Sequence, residues 1–431
     1  MRATNKIDLK QLTIFSENGK EIDISRGLVE LLYHESLLEN SVKVTATFVD
    51  TGYRENEDNT GVFEEDGLDI QGGEKVYLKL EDDLENVLNF GTDDYQLRIL
   101  RVPNNIEHTQ KTAVTIELCT KEYILNELED YYITKRYDGK ISDSVTKILK
   151  EVLQTPKKLF IEETINNFNF LGHVEKVFHK LVWLAKRSVP NLPGIKGQSA
   201  GFFFYETSDG FNYKSIDSLL KQKPKRKLIF NNTTLTPEDY DANILNSPVF
   251  SPTIDVMKKL RLGTYDNKLV TFDLYTNDYK EKLLDADENS AAELAGKKLP
   301  KIPEEFKIPS RRSTALRDTG VLPPGNTLSV QLEKAKETNF EIEDILNQSF
   351  MRYNQLFAVR TSITIYSDLE LRAGDIIFCD FPELSSKANQ IISNKKSGKY
   401  LIVDLTHYVS PNGPSYTKCN IVRDSYYRKT A

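Results

Sequence analysis

The residues of this 431-residue chain that could do chemistry are five histidines, three cysteines and 64 carboxylates. The histidines are His34, His108, His173, His179 and His407. His173 and His179 are six apart, about 240° around a helix, so they cannot share a face as a zinc pair would. His34 and Glu35 are neighbours that a strand would point to opposite faces, which removes them as an acid/base couple. No H-E-x-x-H helix is present, and the letters G-x-S-x-G occur once, at Gly197-Gln198-Ser199-Ala200-Gly201. Gly194, Gly197 and Gly201 lack both the G-K-[ST] ending of a phosphate loop and the Rossmann spacing, so they read as a flexible turn. A glycosidase pair could be drawn from many of the carboxylates, but no lysozyme-like segment focuses one. Cys119, Cys379 and Cys419 are odd in number, far apart and without a C-x-x-C. They read as small buried residues in strands of a protein folded in a reducing cytoplasm. The reading is therefore of a chain without catalysis, cofactor or metal.

Length and charge set the frame. A chain this long is expected to form two to four domains. It contains no apolar run of about 18 residues that would span a membrane and no apolar leader after Met1. Residues 1–100 hold 22 acids against 10 bases, a net of −12, so the remainder must carry +5 to reach the overall −7. The acids cluster in Glu55, Glu57, Asp58, Glu64, Glu65, Asp66 and Asp69, and again in Glu81, Asp82, Asp83 and Glu85. Tight nucleic-acid binding needs the opposite charge, and it is discounted on that ground.

The elements that would position any site are mostly strands. Period-2 alternation predicts strands at Leu9–Phe15, Glu21–Ile24, Leu28–Glu35, Val42–Val49, Lys75–Leu80, Tyr95–Val102 and Thr112–Cys119, with a Glu17-Asn18-Gly19-Lys20 turn between the first two. This is the pattern of an antiparallel barrel or sandwich. The period then changes. Helices are expected over Ile141–Val152 and His173–Lys186, followed by a hairpin of Phe202–Tyr205 and Phe211–Tyr213 about a Ser208-Asp209-Gly210 turn, with Ser215 capping a short helix. Strands resume at Lys227–Phe230 and Leu269–Leu274. Residues 280–326, with Pro300, Pro303, Pro309, Pro323 and Pro324, read as an extended arm or inserted loop. A helix over Phe340–Asn354, strands within Phe357–Tyr366 and Leu371–Phe381, and a long hairpin complete the chain. In that hairpin Leu401, Val403, Leu405 and Val409 are expected on one face and Asp404, Thr406 and Tyr408 on the other. Pro411-Asn412-Gly413-Pro414 turns it, and Tyr416–Arg423 returns.

The two β regions look like copies. Gly73–Leu78 parallels Gly374–Cys379, Tyr95–Ile99 parallels Tyr400–Asp404, and the strands ending at Cys119 and Arg423 follow at similar distances.

Several ordered segments carry a resemblance. They are Leu32–Ser36 with the Val42–Val49 strand and Asp50-Thr51-Gly52, then Phe203–Thr207 with Asp209–Tyr213 and Ser215–Asp217. Asp318-Thr319-Gly320, Arg352–Leu356, Leu371–Asp375, Ser397–Ile402, His407 and Val422–Ser425 follow. Taken in this order the chain resembles the central baseplate hub proteins of contractile-tailed, T-even-like bacteriophages. The resemblance implies an α+β, mainly β fold with two tail-tube-like antiparallel β-barrels, the first at 1–122 and the second at 226–279 and 345–431. An α/β domain at 123–225 is inserted, and 280–344 is a Pro-rich, charged arm. It further implies a homotrimer whose six barrels form a pseudo-sixfold ring between a sixfold tail tube and a threefold central spike. The implied partners are that spike protein, the tube or its initiator, and neighbouring wedge proteins. DNA would pass without specific binding, no membrane insertion would occur, and the protein would reach the virion after assembly in the host cytoplasm. Family-signature or interface positions carried over are Glu35, Tyr205, Asp209, Arg352, Gly374, Gly398, Tyr400, His407, Arg423 and Asp424. Two other readings stand beside it. A phage-associated cell-wall hydrolase would need two convergent carboxylates in a cleft, and the hub of a contractile secretion system would be expected to continue into a needle beyond Ala431.

Overall fold

The computed structural model describes residues 6–429 except 17–18, 51–69, 109–110, 192–198, 232–234, 251–254, 274–276, 286–292, 307, 309–310, 317–326, 328, 330–341 and 384–391. The acidic run 55–69, Asn18, Thr51, Gly52, Gly194, Gly197, the segment 318–320 and much of the arm therefore lie outside the described residues. The first β region holds β1 (Ile7–Phe15), β2 (Glu21–Asp23), β3 (Leu28–Ser36), β4 (Lys43–Asp50), β5 (Lys75–Asp82), β6 (Val87–Phe90), β7 (Leu97–His108) and β8 (Lys111–Thr120). The middle of the chain adds β9 (Arg136–Tyr137), β10 (Leu159–Ile161), β11 (Phe170–Leu171), β12 (Phe202–Thr207) and β13 (Gly210–Ser215). Then come β14 (Arg226–Ile229), β15 (Ala242–Asn243), β16 (Val249–Phe250), β17 (Asp266–Asp273), β18 (Asp278–Asp285), β19 (Arg311–Leu316), β20 (Val359–Tyr366), β21 (Ile376–Asp380), β22 (Gly398–Val409) and β23 (Tyr416–Arg423). The fold is α+β and predominantly β.

The duplication shows itself in hydrogen bonds rather than in residue identity. In the first region the order is β5-β7-β8-β4, and in the second it is β21-β22-β23-β20, every pair antiparallel. Gly73 and Gly374 enter their strands at φ +91° and +92°, a backbone conformation that glycine adopts without a Cβ penalty. The Gly73 N–H donates to Ile99 O at 2.8 Å, and the Gly374 N–H to Ile402 O at 2.9 Å. The return bonds, Ile99 N–H to Glu74 O and Ile402 N–H to Asp375 O, are both 3.0 Å. Ile99 thus corresponds to Ile402. The strand pairing read from sequence at Gly73 and Gly374 has the right register, whereas matching Ile99 with Asp404 is two residues out. Identity was too slight there to fix a register that a period-2 pattern leaves open.

Both copies carry a bulge at the same place, between Ile99 and Arg101 and between Ile402 and Asp404. In β22 it re-aims the side chains. Tyr400, Ile402 and Leu405 enter one core while Leu401 and Val403 enter another, so the single apolar face expected for Leu401, Val403 and Leu405 is split.

The large sheet runs β15-β14-β21-β22-β3-β4-β8-β7-β5-β1-β2, with β23, β20 and β16 continuing from the other edge of β22. Among the described residues this pairing closes neither β region into a barrel by itself; the two regions share one sheet instead. Between them lies the middle unit, where β12, β13 and β10 and the helices Ile141–Lys147 and Val177–Ala185 bury a core of Phe168, Phe178, Phe204 and Phe211. The second helix starts at Val177 rather than His173, because Ile133 and Glu175 pair as an isolated bridge just before it. Ser215 caps the following helix through the Ser218 N–H, as expected. The strand expected at Leu269–Leu274 forms as β17 but leaves the large sheet, pairing with β18 and β19. Two stretches of the arm, or of its approach, are thereby strands rather than extended chain.

Candidate functional site

The feature that organises the molecule is β22, a strand with three neighbours. One edge pairs with β23 along its length; the other pairs with β21 through Gly398–Leu401 and then with β3 through Asp404–Val409. The bulge at Val403 is the changeover point, and its carbonyl accepts the Leu37 N–H at 2.8 Å. The residues on both sides of Val403 are buried on both faces, as the pattern Tyr400–Val403 requires. What this arrangement can do is mechanical: it joins two β units of like strand order edge to edge.

Glu35 sits beside this seam and binds three parts of the chain at once. Its fully buried carboxylate accepts from the Tyr33 hydroxyl (2.6 Å), the Ser208 N–H of the β12–β13 turn (2.8 Å) and the Ala373 N–H before β21 (3.0 Å). Burial raises its pKa, opposed chiefly by the charge of Arg372 and then by these donors. Burial also works against the Arg372 charge, but Glu35 and Asp209 outweigh it and hold its pKa up; Asp209 pairs with it at 3.2 Å. His407, opposite Tyr33, stacks on that ring at 5.8 Å and meets Thr417 Oγ1 at 2.8 Å. Its Nε2 has no hydrogen-bond partner among the described residues. Burial, with Arg372 adding to it, pushes the imidazole down to about 3, so it is neutral in the fold.

A pH dependence follows. The folded His407 binds its proton far less readily than the unfolded value of 6.5, so its contribution is fully present above pH 6.5 and is lost as pH falls toward 3. Roughly 2 kcal/mol should disappear between about pH 8 and pH 5. His407→Gln should flatten that part of a urea-midpoint profile; an unchanged profile would remove His407 as its source.

The remaining signature positions are placed as follows. Arg352 is buried against Asp217 (3.0 Å) and Asp424 (3.5 Å) and also donates to Glu293 O (3.0 Å). Arg423 does not pair with its neighbour Asp424. It is fully buried, donating to the carbonyls of Ser425 (2.5 Å), Ser397 (2.9 Å) and Tyr427 (3.2 Å). The two adjacent charges do not form a surface pair, because the chain end folds back over both. Tyr400 lies inside the second core, edge-on to Phe381 at 5.9 Å, with its hydroxyl on Lys396 O. At Gly398 (φ +139°) a Cβ would come within 3.1 Å of Arg423 Nη1, and at Gly374 it would meet the Tyr205 hydroxyl at 2.4 Å. Asp209 is the exposed member of the set, tied to Arg372 and, through its carbonyl, to the Tyr95 hydroxyl. Nine of the ten side chains or glycines thus face the chain's own interior, where they fasten the middle unit and the chain end to the two β regions.

Sequence reasoning missed the buried ion cluster of Lys157. Its ammonium bridges Glu122 (2.7 Å) and Glu206 (2.6 Å), and Glu206 also accepts from Thr120 Oγ1 (2.7 Å) and the Val42 N–H (3.2 Å). Burial alone would pull the Lys157 pKa down, but Glu206 and Glu122 together hold it up. Burial likewise raises Glu206 despite Lys157. One signal was available. A glutamate inside the doubly covered run Phe202–Tyr205 and Thr207 must have a buried partner.

No group of three or more His, Cys, Asp and Glu residues that could hold a metal occurs among the described residues. A cleft of about 320 Å³ is lined by Asp209 and Asp375. Each of these carboxylates is held by a cation, Asp209 by Arg372 and Asp375 by Lys225 at 3.0 Å.

No family model matches the chain, and no curated protein matches it by sequence. Solved structures do. A tail protein from Neisseria meningitidis aligns at 9% identity over 97% of each chain with a TM-score of 0.52. The 43 kDa tail protein of prophage MuSo2 from Shewanella oneidensis aligns at 9% identity over 96% of this chain and 99% of its own, with a TM-score of 0.55. A component of the E. coli type VI secretion system aligns at 9% identity over 99% of this chain and 79% of its own, with a TM-score of 0.41. At these identities the likeness concerns the fold.

Proposed function

We propose that this chain, which has the fold of phage tail proteins, is a structural subunit of a baseplate central hub. Three copies would present six tube-like β modules in a pseudo-sixfold ring, one side seated on a sixfold tail tube or its initiator and the other on a threefold spike. Wedge proteins would flank the ring, and DNA would pass through it without being held. The observation that carries this reading is the repeated β5-β7-β8-β4 and β21-β22-β23-β20 unit, spliced edge to edge through β22 and β3. A ring made of heterologous contacts needs like edges at successive joints, and a duplicated chain supplies them. The buried clusters of Glu35, Lys157 and Arg352 support the same reading, since they fix the two modules of one subunit at a set spacing.

The first test is mass in solution by light scattering across a concentration series, with imaging of the largest species. A trimer with six similar lobes is the expected result. A monomer at every concentration that stays monomeric when mixed with a spike protein of the same tail would overturn it. Peptidoglycan clearing on a zymogram would instead move the reading to a hydrolase.

A further inference from the structure

The three-stranded sheet β10-β13-β12 turns one face inward, where Phe204, Phe211 and Tyr213 join the core of the middle unit. The other face is different. Phe160 lies opposite Asn212, and Asn212 opposite Tyr205, so these three side chains form a row across all three strands, roughly 10 Å from end to end at the usual strand spacing. The row is the floor of the cleft of about 320 Å³. Its walls are the turn Arg372–Asp375 before β21, and the helix Ile216–Lys221 with the residues that follow it.

Tyr205 has an unmet requirement in this cleft. The residue is only 3% exposed, and its hydroxyl lies so close to Gly374 that a Cβ there would come within 2.4 Å of it. Among the described residues this hydroxyl makes no hydrogen bond, although buried tyrosine hydroxyls usually find a partner. Burial raises its pKa, so the phenol keeps its proton and can both donate and accept. The neighbouring amides are pinned through nitrogen. Asn212 Nδ2 donates to Thr207 Oγ1 and Gly210 O, both at 3.2 Å, and Gln222 Nε2 donates to Leu219 O at 3.1 Å and Gly374 O at 2.9 Å. Asp375 Oδ2 accepts from the Lys225 ammonium and the Arg372 N–H. Asn212 Oδ1, Gln222 Oε1 and Asp375 Oδ1 remain as acceptors on the lining, with the Tyr205 hydroxyl and the Lys214 ammonium as donors.

This mixture defines the ligand class. The lining holds three cations, Lys214, Lys225 and Arg372, against two carboxylates, Asp209 and Asp375. A phosphate or carboxylate ligand would meet both acids, and an apolar ligand would leave the acceptors without a donor. A pyranose has hydroxyls round its rim, each able to donate and accept, and a face of C–H groups that packs flat on an aromatic ring. Phe160, 38% exposed at one end of the row, supplies that ring. The volume is at the lower end of the range for ligand clefts, roughly 300–1,000 Å³, which suits a compact unit of one or two rings.

We propose that this cleft is a carbohydrate-binding site that takes a neutral pyranose unit, with its C–H face on Phe160 and its hydroxyls among Tyr205, Asn212 and Asp375. The site does not rest on the hub reading, and the two are separable by experiment, since assembly is read by mass and this site by sugar binding.

The test is saturation-transfer NMR on the full chain with oligosaccharides of glucose, galactose, mannose and N-acetylglucosamine, followed by titration calorimetry of whichever responds. Transfer to the ring protons of at least one sugar is the expected result. Tyr205→Phe removes the hydroxyl alone and should weaken binding at least tenfold without lowering the urea midpoint, because it breaks no contact within the chain. Phe160→Ala, at the rim, should weaken binding by a similar factor. No transfer to any of the four sugars overturns the proposal, as does equal binding by the wild type and both variants. A lowered midpoint in Tyr205→Phe with unchanged binding assigns the hydroxyl to the fold and overturns its role here. Binding of inorganic phosphate or of a glutamate-rich peptide, lost in Tyr205→Phe and seen with no sugar, would replace the carbohydrate with an anion.

Discussion

Glu35→Ala should lower the stability of the folded chain by roughly 4 kcal/mol, because it strands three buried donors at once. The Tyr33 hydroxyl and the Ser208 and Ala373 N–H groups all end on this carboxylate, and water has no access to replace it. Arg372 would keep Asp209 but lose its buried counter-charge. The loss should appear as a fall in the urea midpoint followed by circular dichroism. Glu35→Gln should cost about half as much, since its amide oxygen can still accept. The variants also test the pH sign. Because burial raises the Glu35 pKa, the folded chain takes this proton more readily than the unfolded one, and the group's contribution grows as pH falls from neutrality toward 4.5. Glu35→Gln should remove that rise. An alanine variant with an unchanged midpoint would show that the three units are fastened elsewhere.

Lys157→Met should be comparably severe, about 3–5 kcal/mol, because it leaves Glu122 and Glu206 facing each other in a dry site. Trp183, the single tryptophan, lies in the middle core and reports its unfolding by fluorescence. Two further outcomes separate a charge effect from a packing effect. Adding Glu206→Gln to Lys157→Met should restore part of the loss, a coupling measurable as a double-mutant cycle. The penalty should also shrink as pH falls, since the Glu206 pKa, already raised by burial, climbs further without Lys157, and protonation then relieves the repulsion. If the penalty is the same at acidic and neutral pH and the double variant recovers nothing, the cluster is not electrostatic in origin.

Much of this architecture was written in local patterns. Alternation marked β1, β3, β4, β5, β8 and β23 within a residue or two, and Ser215 and Gly374 announced a cap and a turn through their own backbone chemistry. The duplication was legible at Gly73 and Gly374 because a glycine at positive φ is needed in both copies. Nine of the ten signature positions fell in the buried fastenings, but their sequence gave no means of telling a surface charge from a buried one. Arg423 and Asp424, adjacent in the chain, turn to different partners, and Lys157 stands in a run, Pro156-Lys157-Lys158, that nothing marks as interior.

What the sequence by itself determined is therefore the mainly-β class, the order of the elements and the existence of two related units, since these depend on period, turn residues and spacing along the chain. Only the tertiary structure decided which edges meet. The exact period of 2 leaves register free by two residues, β22 serves two neighbours on one edge where the bulge at Val403 re-aims it, and β17 joins β18 and β19 rather than the large sheet. Strand edges carry backbone donors and acceptors that are the same for every residue, so their partners are chosen by geometry at long range and not by the letters of the strand.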